Sequence, residues 1–597
     1  MKRIASLLLF CLCAWNALRA SEPAPANLIG NLAGRKTISL NGTWRIIVDP
    51  YETGLGARYF ENRKPKDKSD RVEYDFDTAW SLEVPGDWNS QRTDLLFYEG
   101  PVWYKRSFSY HKRPNTRVFV SFGSANYQAR VFLNGKQLGE HEGGFTPFQF
   151  EVTDGIAEGE NFVVVEVTNA RHREGVPSVD TDWWNYGGIT GDVALVELPE
   201  TFIQNYFVQL AKGAPDQVAG WVQLNGSKDA REVTLEIPEA GIKQTIPTDA
   251  AGRGEFHFAA KLQLWSPDQP KLYRVTLSLR GDSVSDDVGF RTIETRGTQI
   301  LLNGKPIFLR GVSMHEEAPL RSGRAVSEAD DRVLLDWARE LGCNFVRLAH
   351  YPYNEAMIRL ADRLGILVWS EIPLWQRIAW DNPATLENAE GQMRDMIARD
   401  QNRAAVIFWS LSNETGPSPA RQEFLKTLGA YTRQLDSTRL ITSAMNSAEK
   451  TGPNARSLND PLGEYLDVLG INEYIGWYEG RPEEADSTRW TSAYEKPIIV
   501  SEFGADARFG NHGDSETRWT EEYQANLFQH QISMLRKMPG LAGMSPWVLM
   551  DFRSPRRPLV GIQDYFNRKG LISTRGQKKQ AFYVLQEFYR EEATEKK

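Results

Sequence analysis

Hydrophobic and polar positions alternate in short runs over the first third of the chain. "WRIIVDP", "VWYKRSFSY", "RVFVSFG", "YQARVFLNGKQLGEH" and "NFVVVEVTN" all fall between Thr37 and Pro199. A period of two broken by turn residues marks antiparallel strands, and Asn134-Gly135 between two such runs predicts a tight hairpin. The region therefore predicts a β-sandwich. From about Glu200 to Thr292, "REVTLEIPEA", "GEFHFAAKL" and "LYRVTLSLRG" predict a second, smaller sandwich of immunoglobulin-like size. It shows no chemistry-bearing cluster, so a spacer role is expected.

At about Ile293 the period changes. "SEADDRVLLDWARELG" and "NEAMIRLADRLG" carry helical spacing, with Ser327 and Asn354 placed to cap the helix starts and Gly342 and Gly365 to end them. Between the helical segments lie eight apolar strand candidates: "FLRGVSMHE", "NFVRLAHYP", "ILVWSEIP", "AVIFWSLSNE", "RLITSAM", "DVLGINEY", "PIIVSEFG" and "GMSPWVLMDF". Eight strands alternating with helices predict a (β/α)8 barrel, whose chemistry sits at the C-terminal strand ends. Chemistry-bearing residues stand at those ends in turn: His315, Arg347 with His350, Glu371, Asn413 with Glu414, Met445, Asn472 with Tyr474, Glu502, and Trp547 with Asp551. Solvation alone does not explain so complete a ring. The expected units are 21–199, 200–292 and 293–597.

Composition narrows the classes of ligand. The formal charge of -8 and a pI near 5.7 exclude the broad basic face that a nucleic-acid partner requires. The 18 Trp and 21 Tyr suit a protein that stacks flat ligand faces, carbohydrate among them. "MKRIASLLLFCLCAWNALRA" has the basic start, apolar middle and small-residue end of a secretory leader over residues 1–20, and it is too short to span a bilayer. An exported protein, periplasmic or secreted, is expected. Leader removal leaves Cys343 as the single cysteine, so no internal disulfide is expected and Cys343 reads as a buried thiol. The histidines lack ligand-like clustering, so no metal and no other cofactor is called for. Self-association into a homo-oligomer stays open.

Glu414 and Glu502, at the ends of strands four and seven, lie on opposite sides of the expected barrel mouth. Two carboxyl groups facing across a bound group are what glycosidic hydrolysis needs: one protonates the leaving oxygen, the other attacks or stabilises the oxocarbenium-like centre. Asn413, beside Glu414, is placed to bind a neighbouring sugar hydroxyl. For either glutamate alone, a barrel-mouth ion pair with Arg347 is the competing explanation.

"WSLSNE" and "VSEFG" at this spacing resemble the acid/base and nucleophile strands of the large retaining glycosidase clan. "LNGTWRI", "VPGDWN", "GPVWYKRSF", "VFLNGKQLGEHEGGFTPF" and "LNGKPIFLRGVSMHE" resemble glycoside hydrolase family 2 over essentially the whole mature chain. The resemblance implies a jelly-roll sugar-binding domain, an immunoglobulin-like domain and a catalytic barrel. It also implies Glu414 as acid/base, Glu502 as nucleophile, and retention of anomeric configuration.

Within the family, "TDWWNYGGI" is similar to the β-glucuronidase segment whose aspartate reaches the barrel mouth, here Asp182. "MHEEAPLR" supplies His315, and "NEYIGWYEG" supplies Asn472, Tyr474 and Tyr478 in a similar pattern. Trp547 would stack beside the sugar. In "DYFNRKG" the spacing of Asn567 and Lys569 resembles the pair by which β-glucuronidases hold the substrate's C6 carboxylate, with Arg568 expected to face solvent or a neighbouring loop. A charge-assisted bond of this kind contributes about 1.5 to 3 kcal/mol where the lysine has no other partner. The chain departs from that pattern at Gln563, where an arginine is usual, and at Thr415, where proline is usual. The run "RSPRRPLVGIQD" offers Arg556 or Arg557 as a substitute cation. The expected activity is exo-hydrolysis of a terminal β-linked uronic acid. β-Galacturonidase and neutral β-galactosidase are the alternatives inside the family, and a catalytically silent carbohydrate-binding protein is the alternative outside it.

Overall fold

The computed structural model describes residues 28–70, 74–226, 229, 231–446 and 448–595. The leader expected at 1–20 lies outside the described residues. No described helix is long and apolar enough to cross a membrane.

The first body is a sandwich of two antiparallel sheets. Six strands run in the order Trp80–Val84, Gly42–Val48, Pro101–Tyr110, Gly159–Thr168, Gln128–Leu133, Lys136–Glu142, and four strands, Thr37–Ser39, Val193–Pro199, Thr116–Phe122 and Phe148–Glu151, face them. The hairpin at Asn134-Gly135 has φ of 50° and 82°, the positive values a two-residue turn between twisted strands demands. "NFVVVEVTN" breaks strict alternation because both faces of its strand are covered. Val163, Val165 and Val167 join the inter-sheet core, while Val164 packs outward with Trp103, Phe132, Tyr59 and Phe76.

The second body pairs a three-stranded and a four-stranded antiparallel sheet around Tyr206, Val222, Leu235, Val275 and Leu277, an immunoglobulin-like sandwich. In the third, a parallel sheet closes on itself. Its first strand is split into Leu309–Arg310, which pairs with Leu541–Met544, and Ser313–Met314, which pairs with Phe345–Leu348. Leu367–Glu371, Val406–Asn413, Leu440–Met445, Leu469–Asn472 and Ile498–Glu502 complete the eight-strand ring. The strands are buried along their length by inner side chains and outer helices, and so read as continuous apolar runs. Ser327 and Asn354 cap helices Glu328–Leu341 and Glu355–Leu364, and Gly342 and Gly365 end them at φ of 98° and 72°.

Three features differ from the sequence expectation. A small antiparallel sheet, Ile293–Arg296, Gln299–Leu302 and Lys305–Pro306, precedes the barrel, so the α/β alternation starts about fifteen residues after Ile293. The eighth strand ends at Met544, so Trp547 and Asp551 lie in the loop beyond it and not at its tip. The Asp551 carboxylate is taken up by ion pairs: Lys579 and Arg568 hold it at 2.7 and 3.4 Å. Cys343 is a buried free thiol packed in the barrel core.

Candidate active site

Arg347, fully buried at the end of the second barrel strand, organises the mouth. Its guanidinium donates to Glu371 (2.9 and 3.3 Å), Asn413 Oδ1 (2.7 Å), Glu502 Oε1 (2.8 Å) and the Ser501 carbonyl (3.2 Å). One arginine thus ties strands two, three, four and seven together. Burial pushes the Glu371 carboxyl up, but Arg347 and His350 outweigh it and hold the group down at about 2, which favours its anion.

Glu502 takes its second contact from the Tyr474 hydroxyl, 2.8 Å from Oε2. Burial pushes its carboxyl above the usual carboxylate range, Arg347 pulls it back, and the nearby charge of Glu414 adds to the rise. Glu414 sits in the left-handed region at φ 51°, a conformation that costs a non-glycine residue energy and aims its side chain off the strand end. Its oxygens accept from Gln376 Nε2 at 3.0 Å and Asn472 Nδ2 at 3.1 Å, both neutral amides. The two carboxylates are therefore held differently, one by a cation and a phenol, the other by amides. Thr415, in the position where proline is usual, receives Arg421 Nε at 3.0 Å, and Arg421 in turn holds Asp460 at 2.7 Å, fixing the loop by side chains.

Two buried nitrogens in this region have no hydrogen-bond partner among the described residues. The Asn413 Oδ1 is occupied by Arg347 and Asn472, which fixes the amide orientation and leaves Nδ2 unbonded. His315 Nδ1 contacts the Tyr351 hydroxyl at 3.0 Å while Nε2 is unbonded. Burial, then the charges of His350, Arg347 and Arg324, push the His315 imidazole well below its ordinary value, so it is neutral. Trp547 packs against His350 and His315 at ring distances of 4.9 and 5.2 Å, and Trp183 covers His350 from the first domain at 5.2 Å. His350 itself is spent on Glu371, through its backbone N–H at 2.8 Å and Nδ1 at 3.2 Å.

A second polar group adjoins the site through Tyr478, whose ring lies 5.0 Å from that of Tyr474. Lys569, buried, donates to Asp506 at 2.6 Å and to the Tyr478 hydroxyl at 3.0 Å. Asp182 reaches in from the N-terminal sandwich and pairs with Arg557 and Ser554, with Asn567 Nδ2 at 3.4 Å. Arg557 Nη2 stands 3.3 Å from the same Tyr478 hydroxyl, so the two ion pairs form one cluster. This changes one sequence expectation: Lys569 does have another partner. Two cations and two carboxylates leave the cluster neutral, and its capacity for a further anion rests on donors still unused, one N–H of Lys569, one of Asn567 and the two of Arg557 Nη1.

Three models of one family cover the chain: "Glycosyl hydrolases family 2, sugar binding domain" over 37–199, "Glycosyl hydrolases family 2" over 201–291, and "Glycosyl hydrolases family 2, TIM barrel domain" over 293–592. The chain belongs to glycosyl hydrolase family 2. Among relatives of this family 2 chain, the β-glucuronidase of Canis lupus familiaris is 30% identical over 85% of this chain and 84% of its own. A solved β-glucuronidase from an uncultured Clostridium species is 27% identical, with a TM-score of 0.80 over 95% of this chain and 99% of its own. A family 2 β-galacturonidase from Eisenbergiella tayi, solved with galacturonate, is 25% identical, with a TM-score of 0.78 over 94% and 98%.

For this family 2 member the sequence reading missed Gln376 and Asp506 and left Arg557 undecided. Asp506 follows Glu502 by four residues and continues the "VSEFG" motif, a signal that was present. Gln376 gave none. It comes from the loop after strand three, and its φ of 50° turns it toward Glu414. Gln563 is buried in a turn of the loop after the eighth strand, its backbone N–H and carbonyl bonded to Leu559 and Phe566, so the guanidinium in the cluster comes from Arg557 and not from that position.

Proposed function

We propose that this family 2 hydrolase is an exo-acting retaining β-glucuronidase, exported through the 1–20 leader, with its barrel as the catalytic unit. The observation that carries the division of labour is the unlike support of the two carboxylates. Protonating Glu502 would leave Arg347 facing a neutral acid on that side, whereas Glu414, held by Gln376 and Asn472, can gain or lose a proton without stranding a cation.

In the first step a Glu502 oxygen bonds to C1 as the C1–O glycosidic bond breaks, and Glu414 gives its proton to the departing oxygen. In the second, Glu414 takes a proton from water whose oxygen attacks C1, and the Glu502 ester bond breaks. Two inversions give net retention. Asn413 Nδ2 donates to the hydroxyl beside C1, where charge develops. Asn567 and Lys569 receive the C6 carboxylate and Asp182 orients the cluster. Trp547 forms a wall for the sugar ring.

Time-resolved proton NMR on an aryl β-glucuronide tests this reading: β-glucuronic acid is expected to appear first and then mutarotate, and first appearance of the α-anomer would exclude a covalent intermediate on Glu502. A second reading, β-galacturonidase, is favoured by Gln563, where the resemblance leads one to expect arginine, and by the supply of the cluster's guanidinium from Arg557 in the loop after the eighth strand.

A further inference from the structure

The short extended segment Phe566–Lys569 alternates between two environments. Asn567 and Lys569 join the Asp182 and Asp506 cluster, while Phe566 and Arg568 line a separate cavity of about 580 Å³ on the other side of the hairpin. That cavity is built by the loops after barrel strands one, seven and eight, so it opens on the catalytic face of the barrel.

Five arginines line it: Arg321, Arg508, Arg553, Arg568 and Arg575. Arg321 pairs with Asp330 and Arg568 with Asp551. The guanidinium groups of Arg508, Arg553 and Arg575 form no ion pair among the described residues, although the Arg553 backbone N–H donates to Glu317 at 3.3 Å. The guanidinium carbons of Arg553 and Arg568 lie 4.7 and 4.6 Å from the centre of the Phe566 ring. Two acids share the lining, Glu317 and Asp551. Asp551 is committed to Lys579, and burial pushes the Glu317 carboxyl up to about 8, so little negative charge faces the arginines at neutral pH. Arg508 and Arg575 are exposed, and the N–H groups they present to the cavity are available to an anion that enters it.

We propose that this cavity is a second binding site, distinct from the catalytic pocket, for a carboxylated oligosaccharide. The volume exceeds what one small oxyanion fills, and Leu320 and Phe509 supply apolar surface for sugar rings between the arginines. Anion binding follows from the arginines alone. The choice of a sugar rests on the family 2 reading of the neighbouring pocket.

The test is calorimetric titration of Glu502→Ala protein with α-linked trigalacturonate, which a β-glycosidase does not cleave, with inorganic phosphate as the second arm. Arg508→Ala/Arg575→Ala in the same background is expected to weaken trigalacturonate binding at least tenfold, and Lys569→Met/Asp506→Asn to leave it within twofold. In otherwise wild-type protein, Arg508→Ala/Arg575→Ala is expected to leave turnover of an aryl β-glucuronide unchanged. Since binding is read without turnover, failure of the glucuronidase reading leaves the experiment intact. Binding unaffected by the arginine pair, binding lost with Lys569, or phosphate binding as tightly as trigalacturonate would each overturn the proposal.

Discussion

Arg557, on the loop after the eighth barrel strand, forms an ion pair with Asp182 of the N-terminal sandwich, its Nε 3.2 Å from Asp182 Oδ1. The pair joins two domains at the edge of the catalytic pocket. Because both side chains are largely buried, their interaction is screened less than a surface pair. Arg557→Gln and Asp182→Asn are expected to be coupled by about 1 to 3 kcal/mol in kcat/KM for an aryl β-glucuronide. A double-mutant cycle measures this, and additive losses would show that the pair does not act as a unit.

Glu502→Ala is expected to abolish turnover of aryl β-glycosides, with a small added anion restoring a slow rate by attacking C1 from the space the carboxylate leaves. The product of that rescue is expected to be the α-linked adduct. A β-adduct would place the nucleophile elsewhere.

The acidic limb of the pH profile should respond to Arg347. Burial raises the Glu502 carboxyl and the Arg347 guanidinium pulls it back. The nucleophile must be ionised, so activity falls as pH drops through its pKa. Arg347→Gln removes the lowering influence and is expected to move this limb of kcat/KM to higher pH. The measurement uses an aryl glucuronide whose leaving group needs no acid. A limb that stays in place, or moves down, would contradict the assignment.

Lys569→Ala leaves the buried Asp506 carboxylate without its cation, a change expected to cost about 3 to 5 kcal/mol of stability. Lys569→Met/Asp506→Asn removes both charges and is expected to recover most of that loss. Thermal melts of the two variants give the comparison, and equal melting temperatures would mean that the pair is not stabilising Asp506.

Local chemistry in the sequence already points to much of this architecture. The hairpin at Asn134-Gly135 and the helix caps at Ser327 and Asn354 depend on a few neighbouring residues, and they form as the pattern predicts. The ring of polar strand ends places Arg347, Asn413, Glu414, Asn472 and Glu502 together because a closed parallel barrel brings like ends to one face. The pairing of Lys569 with Asp506 and of Arg557 with Asp182 depends on how separate loops and domains meet, and no local pattern encodes that. The clamp expected from "DYFNRKG" is thus present as residues, while its charge balance emerges only from the fold. Asp551 shows the same limit: its position after strand eight resembled a site residue, but its partners, Lys579 and Arg568, turn it into a support.

The central claim is that the cluster around Asn567 and Lys569 selects a terminal uronide for hydrolysis by Glu414 and Glu502. The direct measurement is kcat/KM for aryl β-glucuronide, β-galacturonide, β-galactoside and β-mannoside on wild type and on Lys569→Met/Asp506→Asn. Because the cluster is already neutral, a preference near the lower end of the charge-assisted range is expected, about tenfold for the glucuronide over the neutral glycosides. The double variant is expected to lose that preference and retain its slow rates on the galactoside and mannoside. Equal loss on all four substrates, or a preference that survives in the variant, would contradict the account.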